Sequence, residues 1–290
     1  MAMTTLVLGL VLGGTYALLA LGLTLQYGIA RIMNLAYGEV TLLAAFVLVF
    51  LFQSAGLSPL ISILLIGPAG YLMGSLLYAV MMRPLVQRAE GKTGKLEVDS
   101  ILATFGLLFV LQGIMLVLFG ANFTSISYLD QGVDVFGVSV ALNRLIAFAI
   151  CLVAGLSLVV LLARSRWGLI LRAVALTPGS APLVGIDVNK VSRQGFALGT
   201  ALASIGGASV AMYQTFSAND GVVFTMKALI IVIMGGVGNV VGALAAGFAL
   251  GLVETFVATM FDPGLTLAAT FSIFLIVLIW RPQGLFGRRS

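Results

Sequence analysis

Arg31, Asn34 and Glu39 fall within nine residues, RIMNLAYGE, between an apolar run from Leu6 to Leu25 and another from Leu42 to Phe52. A carboxylate, a carboxamide and a guanidinium this close together are the ingredients of an acid–base or ion-coupling site. Two things argue against catalysis. The chain holds no histidine, the commonest general base and metal ligand. The other acids in or near the apolar runs, among them Glu254 and Asp262, are far away in sequence and form no paired motif with Glu39. The single cysteine, Cys151, lies inside an apolar run, where a lone Cys is packing. HExxH, CxxC and GxSxG are absent. The tripeptide GKT at 91–93 lacks the P-loop glycine five positions earlier, because that position is Val86. The chain is therefore expected to be neither an enzyme nor itself an ATPase, with no cofactor or metal of its own.

The surroundings of these residues explain more. Of 290 residues, 61% are hydrophobic and 9% charged, with a mean hydropathy of +1.17. A soluble domain carries about 25% charged residues, so lipid must be the solvent of this one. Apolar runs at 4–27, 37–52, 60–82, 99–119, 141–163, 191–214, 226–258 and 264–280 predict an all-α polytopic membrane protein. About eight transmembrane helices are expected, with one or two broken or re-entrant segments; nine result if 226–258 divides at GGVGN (235–239), and the odd number of crossings that a cytoplasmic C-terminus requires favours GGVGN as an inner turn over a re-entrant piece. The N-terminal stretch lacks a basic leader region and reads as the first membrane segment.

The net charge of +5 sits in the loops. Arg83, Arg88, Lys92 and Lys95 mark 83–98; Arg164, Arg166, Arg172, Lys190 and Arg193 mark 164–193; Arg281, Arg288 and Arg289 mark the tail. Residues 53–59 carry no charge, and 120–140 carry Asp130 and Asp134 with no Lys or Arg. The positive-inside rule makes the first three regions and the C-terminus cytoplasmic and the last two external. Arg31 then lies near the cytoplasmic face and the N-terminus outside; Arg144, at the outer end of a run, is an exception that can snorkel. No aromatic-interleaved basic patch suggests nucleic acid. Glycine pairs four apart (Gly9/Gly13, Gly195/Gly199, Gly238/Gly242, Gly247/Gly251) suit close helix packing within the bundle. A faint internal symmetry places Gly13-Gly14 and Gly206-Gly207 each in a run that leads to a polar interruption.

The loop 164–193 interleaves Trp167, Leu169, Ile170, Leu171 and Val174 with arginines, as an interfacial helix does. Thr177-Pro178 can start a short helical turn that Gly185 ends and Pro182 limits. Such a turn is either a lipid-surface loop or a docking element for a cytoplasmic partner.

Four stretches carry a resemblance: NLAYGE (34–39), RAVALTPGSAPLVGIDVNKV in the loop, Phe224 to Lys227 with GGVGNVVGALAAGFALGLVE (235–254), and RPQGLFG (281–287). In this order, over nearly the whole chain, they resemble the LivH-type permeases of bacterial ABC importers for branched-chain amino acids. The resemblance implies one permease domain over 1–290 in the bacterial inner membrane. It also implies a LivM-like second permease, two LivG/LivF-like ATPases that use ATP and Mg, and an external solute-binding protein. The loop residues Arg172, Ala173, Thr177, Pro178, Ala181, Gly185, Ile186 and Asp187 would contact an ATPase. Leu176 and Thr177 stand where the family usually has acids, and Pro182 lies in the coupling turn.

A path for zwitterions with apolar side chains needs small or apolar lining and backbone groups freed at helix breaks. Two candidate breaks could offer them: one around Gly28 to Gly38, with Asn34, Tyr37, Gly38 and Glu39, and one at Gly235, Gly236, Gly238 and Asn239. Glu39 either faces the path or fixes the break, by pairing with Arg31 or by capping free N–H groups. Urea or short amides are alternative cargoes within the family, and a stand-alone secondary transporter or channel is the alternative outside it.

Overall fold

The computed structural model describes residues 2–88, 93–135 and 137–287. Gly91 and Lys92 of the GKT tripeptide, and Arg288 and Arg289 of the tail, lie outside the described residues. Eleven α-helices and one small hairpin are present among the rest. They are α1 (Ala2–Ala30), α2 (Tyr37–Ala55), α3 (Pro59–Leu77), α4 (Arg83–Arg88), α5 (Thr93–Phe119), α6 (Leu142–Arg164), α7 (Arg166–Leu176), α8 (Val188–Ala211), α9 (Gly221–Gly235), α10 (Val240–Met260) and α11 (Thr266–Trp280). A π-helical stretch, Tyr78–Met82, joins α3 to α4. It lies just before Pro84, whose ring and missing N–H cannot fit an undisturbed α-helical ladder. The hairpin pairs β1 (Gly132–Val135) with β2 (Val138–Ala141), antiparallel.

Among the described residues, seven helices are long and apolar enough to cross a membrane, and α9 is a shorter apolar helix. The expectation of an all-α multi-pass membrane protein holds. The long run 226–258 divides at GGVGN into α9 and α10.

Helix α8 is an interior helix, as is α1. It packs on α1, α2 and α3 and presents small and hydroxylated residues, among them Gly199, Thr200, Ser204, Gly206 and Gly207, all buried. A helix sheathed by protein does not need apolar side chains against lipid, so its hydropathy is low while its burial is high. α5, α6 and α11 do the opposite: they expose Phe105, Phe109, Val117, Val153, Leu156, Leu275 and Ile279.

Three of the four glycine pairs, Gly9/Gly13, Gly195/Gly199 and Gly247/Gly251, act as packing surfaces, whereas Gly238 of the fourth lies in the turn before α10 at φ +78°. A Cβ at Gly247 would lie 2.6 Å from the Ala17 Cα, one at Gly13 2.9 Å from the Phe248 Cα, and one at Gly9 2.9 Å from the Leu252 Cα. α1 and α10 therefore run antiparallel in backbone contact, the approach that only small residues permit.

Helix ends fall into two groups. At one end, Gly28 faces Gly238, and the Tyr27 hydroxyl donates to Glu97 at 2.9 Å. Arg31, Arg88, Lys95, Arg164, Arg172, Arg193 and Arg281 lie at the helix ends of this basic side. At the other end, Thr5 bonds Thr259 at 3.1 Å, and Thr124 and Phe216 form a β-bridge. This alternation is the one that the charge pattern predicts.

Candidate functional site

The stretch RIMNLAYGE (31–39) folds as a re-entrant segment. α1 ends where Arg31 takes a left-handed conformation (φ +53°), which turns the chain back into the bundle. Residues 31–36 then run without helical bonds to the start of α2. Ile32, Asn34 and Ala36 are buried, so water cannot satisfy this backbone and protein must. It does. Met33 N donates to Ser100 Oγ at 3.2 Å and Leu35 N to Thr104 Oγ1 at 3.0 Å. Ala36 N donates to Asn34 Oδ1 at 3.1 Å, and Asn34 Nδ2 to Gln26 Oε1 at 3.0 Å. Gln26 in turn bonds Thr200 of α8 at 3.1 Å. Asn34 is thus a structural hinge pin whose two ends are both used.

α2 begins inside the bundle. The Tyr37 hydroxyl donates to the Leu19 carbonyl at 2.7 Å, near the middle of α1. On the other side, 212–220 returns from the far end of α8, and α9 starts at Gly221. The two helix starts abut. Gly38 N donates to Thr225 Oγ1 at 2.8 Å, and that hydroxyl shares its proton between the carbonyls of Leu35 (3.1 Å) and Gly221 (3.2 Å). A Cβ on Gly38 would lie 2.7 Å from the Thr225 N, and one on Gly221 would fall on the Glu39 carboxyl group. Glu39 is fully buried, and its carboxylate oxygens have no hydrogen-bond partner among the described residues. It lies in the first turn of α2 and against the start of α9, where two sets of helix dipoles present their positive ends. Of the ways in which Glu39 could fix the break, neither the Arg31–Glu39 pair nor a cap on free N–H groups is formed among the described residues: Arg31 lies 6.0 Å over the Tyr27 ring instead. The left-handed turn at Arg31 leaves it exposed at the basic end while Glu39 is carried inward.

A long helix, a return segment and a second helix starting inside occur twice, as α1–α2 and α8–α9. The long helices are antiparallel, with Gly195 beside Ile29 and Thr15 bonded to Tyr213. The second helices leave one junction in opposite directions, α2 towards Phe119 and Phe216 and α9 towards Gly242. This is the arrangement of an inverted repeat, and it gives the faint Gly-Gly symmetry a structural counterpart.

Gly235, Gly236, Gly238 and Asn239 do not join this junction. They form a tight turn at the basic end, with Gly236 at φ +97° and Gly238 at φ +78°. Asn239 Oδ1 accepts from Gly242 N at 3.1 Å and caps α10, while its Nδ2 donates to the Phe286 carbonyl at 2.8 Å. Measured along α1, from Leu19 to Gly28, this turn lies about two and a half helical turns from the junction, roughly 13 Å. Of the two candidate breaks, one is thus a mid-depth junction and the other an end turn, the inner turn that the parity of crossings favours. Glycine content alone marks a chain reversal but not its depth.

That end turn meets the loop at 164–193. Val237–Val241 and Phe286 line a crevice of about 380 Å³ together with Gly28, Arg31, Ala175 and Leu176. α7 is capped by Ser165, whose Oγ accepts from Gly168 N at 2.9 Å. Its Leu171 and Val174 are buried, and Trp167 Nε1 donates to Gln194 at 2.8 Å. Arg172 Nε donates weakly to the Gly168 carbonyl at 3.4 Å, and Ala173 receives Thr177 at the end of α7. Thr177 and Pro178 open a turn, but the helical stretch proper is a 3-10 turn, Ala181–Val184, three residues later than expected. Ala181 is buried, while Leu183 and Val184 are 87% and 75% exposed. Gly185 ends the turn at φ +78°, as its type predicts. Ile186 packs partly buried on the core, and Asp187 Oδ1 caps α8 by accepting from Lys190 N at 3.1 Å.

Two groups lay beyond the sequence reading. Thr225 and Gly221 complete the junction, but no spacing links them to Gly38. Lys227 and Glu254 form an ion pair of 2.6 Å inside the bundle, with Lys227 also donating to the Tyr16 hydroxyl at 2.6 Å. Their signal was legible: each is a lone charge in an apolar run, and the signs are opposite.

Buried α8, antiparallel repeats and a mid-depth junction of helix starts define a multi-pass membrane protein of the transporter type. The family described as "Branched-chain amino acid transport system / permease component" matches residues 5–280. The chain belongs to that family. It is 30% identical to the high-affinity branched-chain amino acid transport system permease protein BraD of Pseudomonas aeruginosa, over 98% of this chain and 95% of the relative. It is 26% identical to the corresponding LivH of Escherichia coli K12, over 97% and 94%. It is 27% identical to a probable LivH of Methanocaldococcus jannaschii, over 93% and 88%. Among solved structures, PsaBC from Streptococcus pneumoniae in complex with Fab aligns with a TM-score of 0.50 at 12% identity, over 98% of this chain and 93% of that one. At that identity the likeness concerns fold alone.

Proposed function

We propose that this chain is the LivH-like permease subunit of an importer that moves branched-chain or other small apolar amino acids across the bacterial inner membrane. Residues 1–290 act as one permease domain, paired with a LivM-like permease. LivG/LivF-like ATPases supply ATP hydrolysis with Mg at the basic face, and a solute-binding protein delivers cargo at the other. The charge pattern puts the basic end, with the C-terminus, in the cytoplasm.

The observation that carries the reading is the exposed apolar turn at Ala181–Val184. It is held out at the basic end by two capped helices and lies next to a crevice shared with the Gly235–Asn239 turn. A rigid projection with Leu183 and Val184 outermost suits a socket on an ATPase, and the crevice offers a route from that socket to the end of α1. Arg172, Ala173, Thr177, Pro178, Ala181, Gly185, Ile186 and Asp187 hold the turn in place. The junction of Asn34, Tyr37, Gly38 and Glu39 shapes the cargo path, with Glu39 fixing the two helix starts rather than binding cargo. Gly235, Gly236, Gly238 and Asn239 form the inner end of the path.

The test is co-expression with the neighbouring permease, ATPase and binding-protein genes, followed by affinity purification and uptake in vesicles. Wild type should retain both ATPases and accumulate leucine in preference to urea. Leu183→Glu with Val184→Glu should lose the ATPases while the two permeases still co-purify. Retention of the ATPases by that variant would refute the docking role, and urea uptake without leucine uptake would refute the cargo.

A further inference from the structure

At the end opposite the basic loops, a cavity of about 300 Å³ opens between α1, α10, the start of α11 and the start of α6. Its walls are apolar at Leu12 and Ala258 and polar at Tyr16, Tyr213, Arg144 and Glu254. The volume lies at the lower limit of small-molecule sites. Two of the polar groups hold unused capacity. Glu254 Oε1 is taken by Lys227, but Oε2 is buried with no hydrogen-bond partner among the described residues. Arg144 makes no ion pair or hydrogen bond among the described residues. Such a guanidinium offers a planar fork that matches a carboxylate. A buried acceptor left open is costly unless something fills it.

We infer that this cavity is the entry site for the cargo zwitterion. Arg144 takes the α-carboxylate, Glu254 Oε2 accepts from the α-ammonium, and Leu12 and Ala258 contact the apolar side chain. Lys227 balances the single negative charge of Glu254, which keeps the carboxylate from holding a cation too tightly for release. The same placement accounts for Arg144 at the end of the molecule that is otherwise acidic. The inference rests on the amino-acid permease reading above and adds where that cargo first binds.

The experiment uses the complete importer in proteoliposomes with its binding protein, reading labelled leucine imported and ATP hydrolysed. Losing one partner of a charged hydrogen bond weakens binding by about tenfold or more. Arg144→Gln should lower leucine imported per ATP by about tenfold, and Arg144→Lys should recover much of it. Ala258→Phe, which fills the cavity and leaves both charges in place, should cause a similar loss. If Arg144→Gln and Ala258→Phe both keep import per ATP within about twofold of wild type, the site is refuted while the permease reading stands. Parallel loss of import and ATP hydrolysis in Arg144→Gln without rescue by lysine would also refute it, since that is the signature of a structural anchor. A wild-type complex that hydrolyses ATP and moves no amino acid would overturn the permease reading together with the site.

Discussion

Replacing Thr225 tests whether the junction of α2 and α9 rests on one hydroxyl. The Thr225 hydroxyl accepts from Gly38 N at 2.8 Å and donates to the carbonyl of Leu35 or Gly221. Thr225 is 1% exposed. Valine keeps the shape and removes the hydroxyl, so the Gly38 N–H and the Leu35 carbonyl lose a partner where no water reaches them. An unpaired buried group costs about 1–3 kcal/mol, and some relaxation of the loop recovers part, giving about 2 kcal/mol for Thr225→Val. At about 2 °C per kcal/mol for a chain of this size, the melting temperature should fall by about 4 °C. Thr225→Ser keeps every bond and loses a methyl group worth about 0.8 kcal/mol, so it should fall by less than about 2 °C. The assay is thermal unfolding of the purified protein in detergent, followed by the fluorescence of Trp167 and Trp280. Valine melting within about 1 °C of wild type, or serine falling as far as valine, would refute the argument.

Four more expectations follow from the same geometry. Glu39→Gln replaces the carboxyl group at the meeting point of two helix starts. It should destabilise by about 1 kcal/mol and leave the KM for leucine uptake unchanged, whereas a raised KM would place Glu39 on the cargo. Gly247→Ala forces a Cβ to 2.6 Å from the Ala17 Cα, which should cost about 1–3 kcal/mol in the same melt. Gly113→Ala, in open space on α5, should be neutral or stabilise by about 0.5–1 kcal/mol. Lys227→Met strands the Glu254 carboxylate and should cost about 3–5 kcal/mol, while the double change with Glu254→Leu should recover most of it; no recovery would show that the pair is not the cause.

Much of this molecule was legible in one dimension. Lipid imposes long apolar runs and short basic loops, so the helices, their alternation and the two end faces follow from hydropathy and the positions of Arg and Lys. Gly185 announced its turn because a left-handed residue without a Cβ is the cheapest way to stop a helix. The four motif stretches carried the family.

What escaped was depth and partnership. GGVGN and NLAYGE look alike as interruptions, yet one is an end turn and the other a re-entrant segment. The difference lies in Ser100, Thr104, Gln26 and Thr225, residues distant in sequence whose side chains satisfy the buried backbone of 31–36. Arg31 and Glu39 are close in the chain and look like a pair, but the left-handed turn sends them to different depths. Lys227 and Glu254, 27 positions apart, are the pair that forms. Local sequence records what each segment needs from its solvent. Which distant group supplies that need is decided by how α8 seats against α1 and α2, and that packing has no period for a sequence to display.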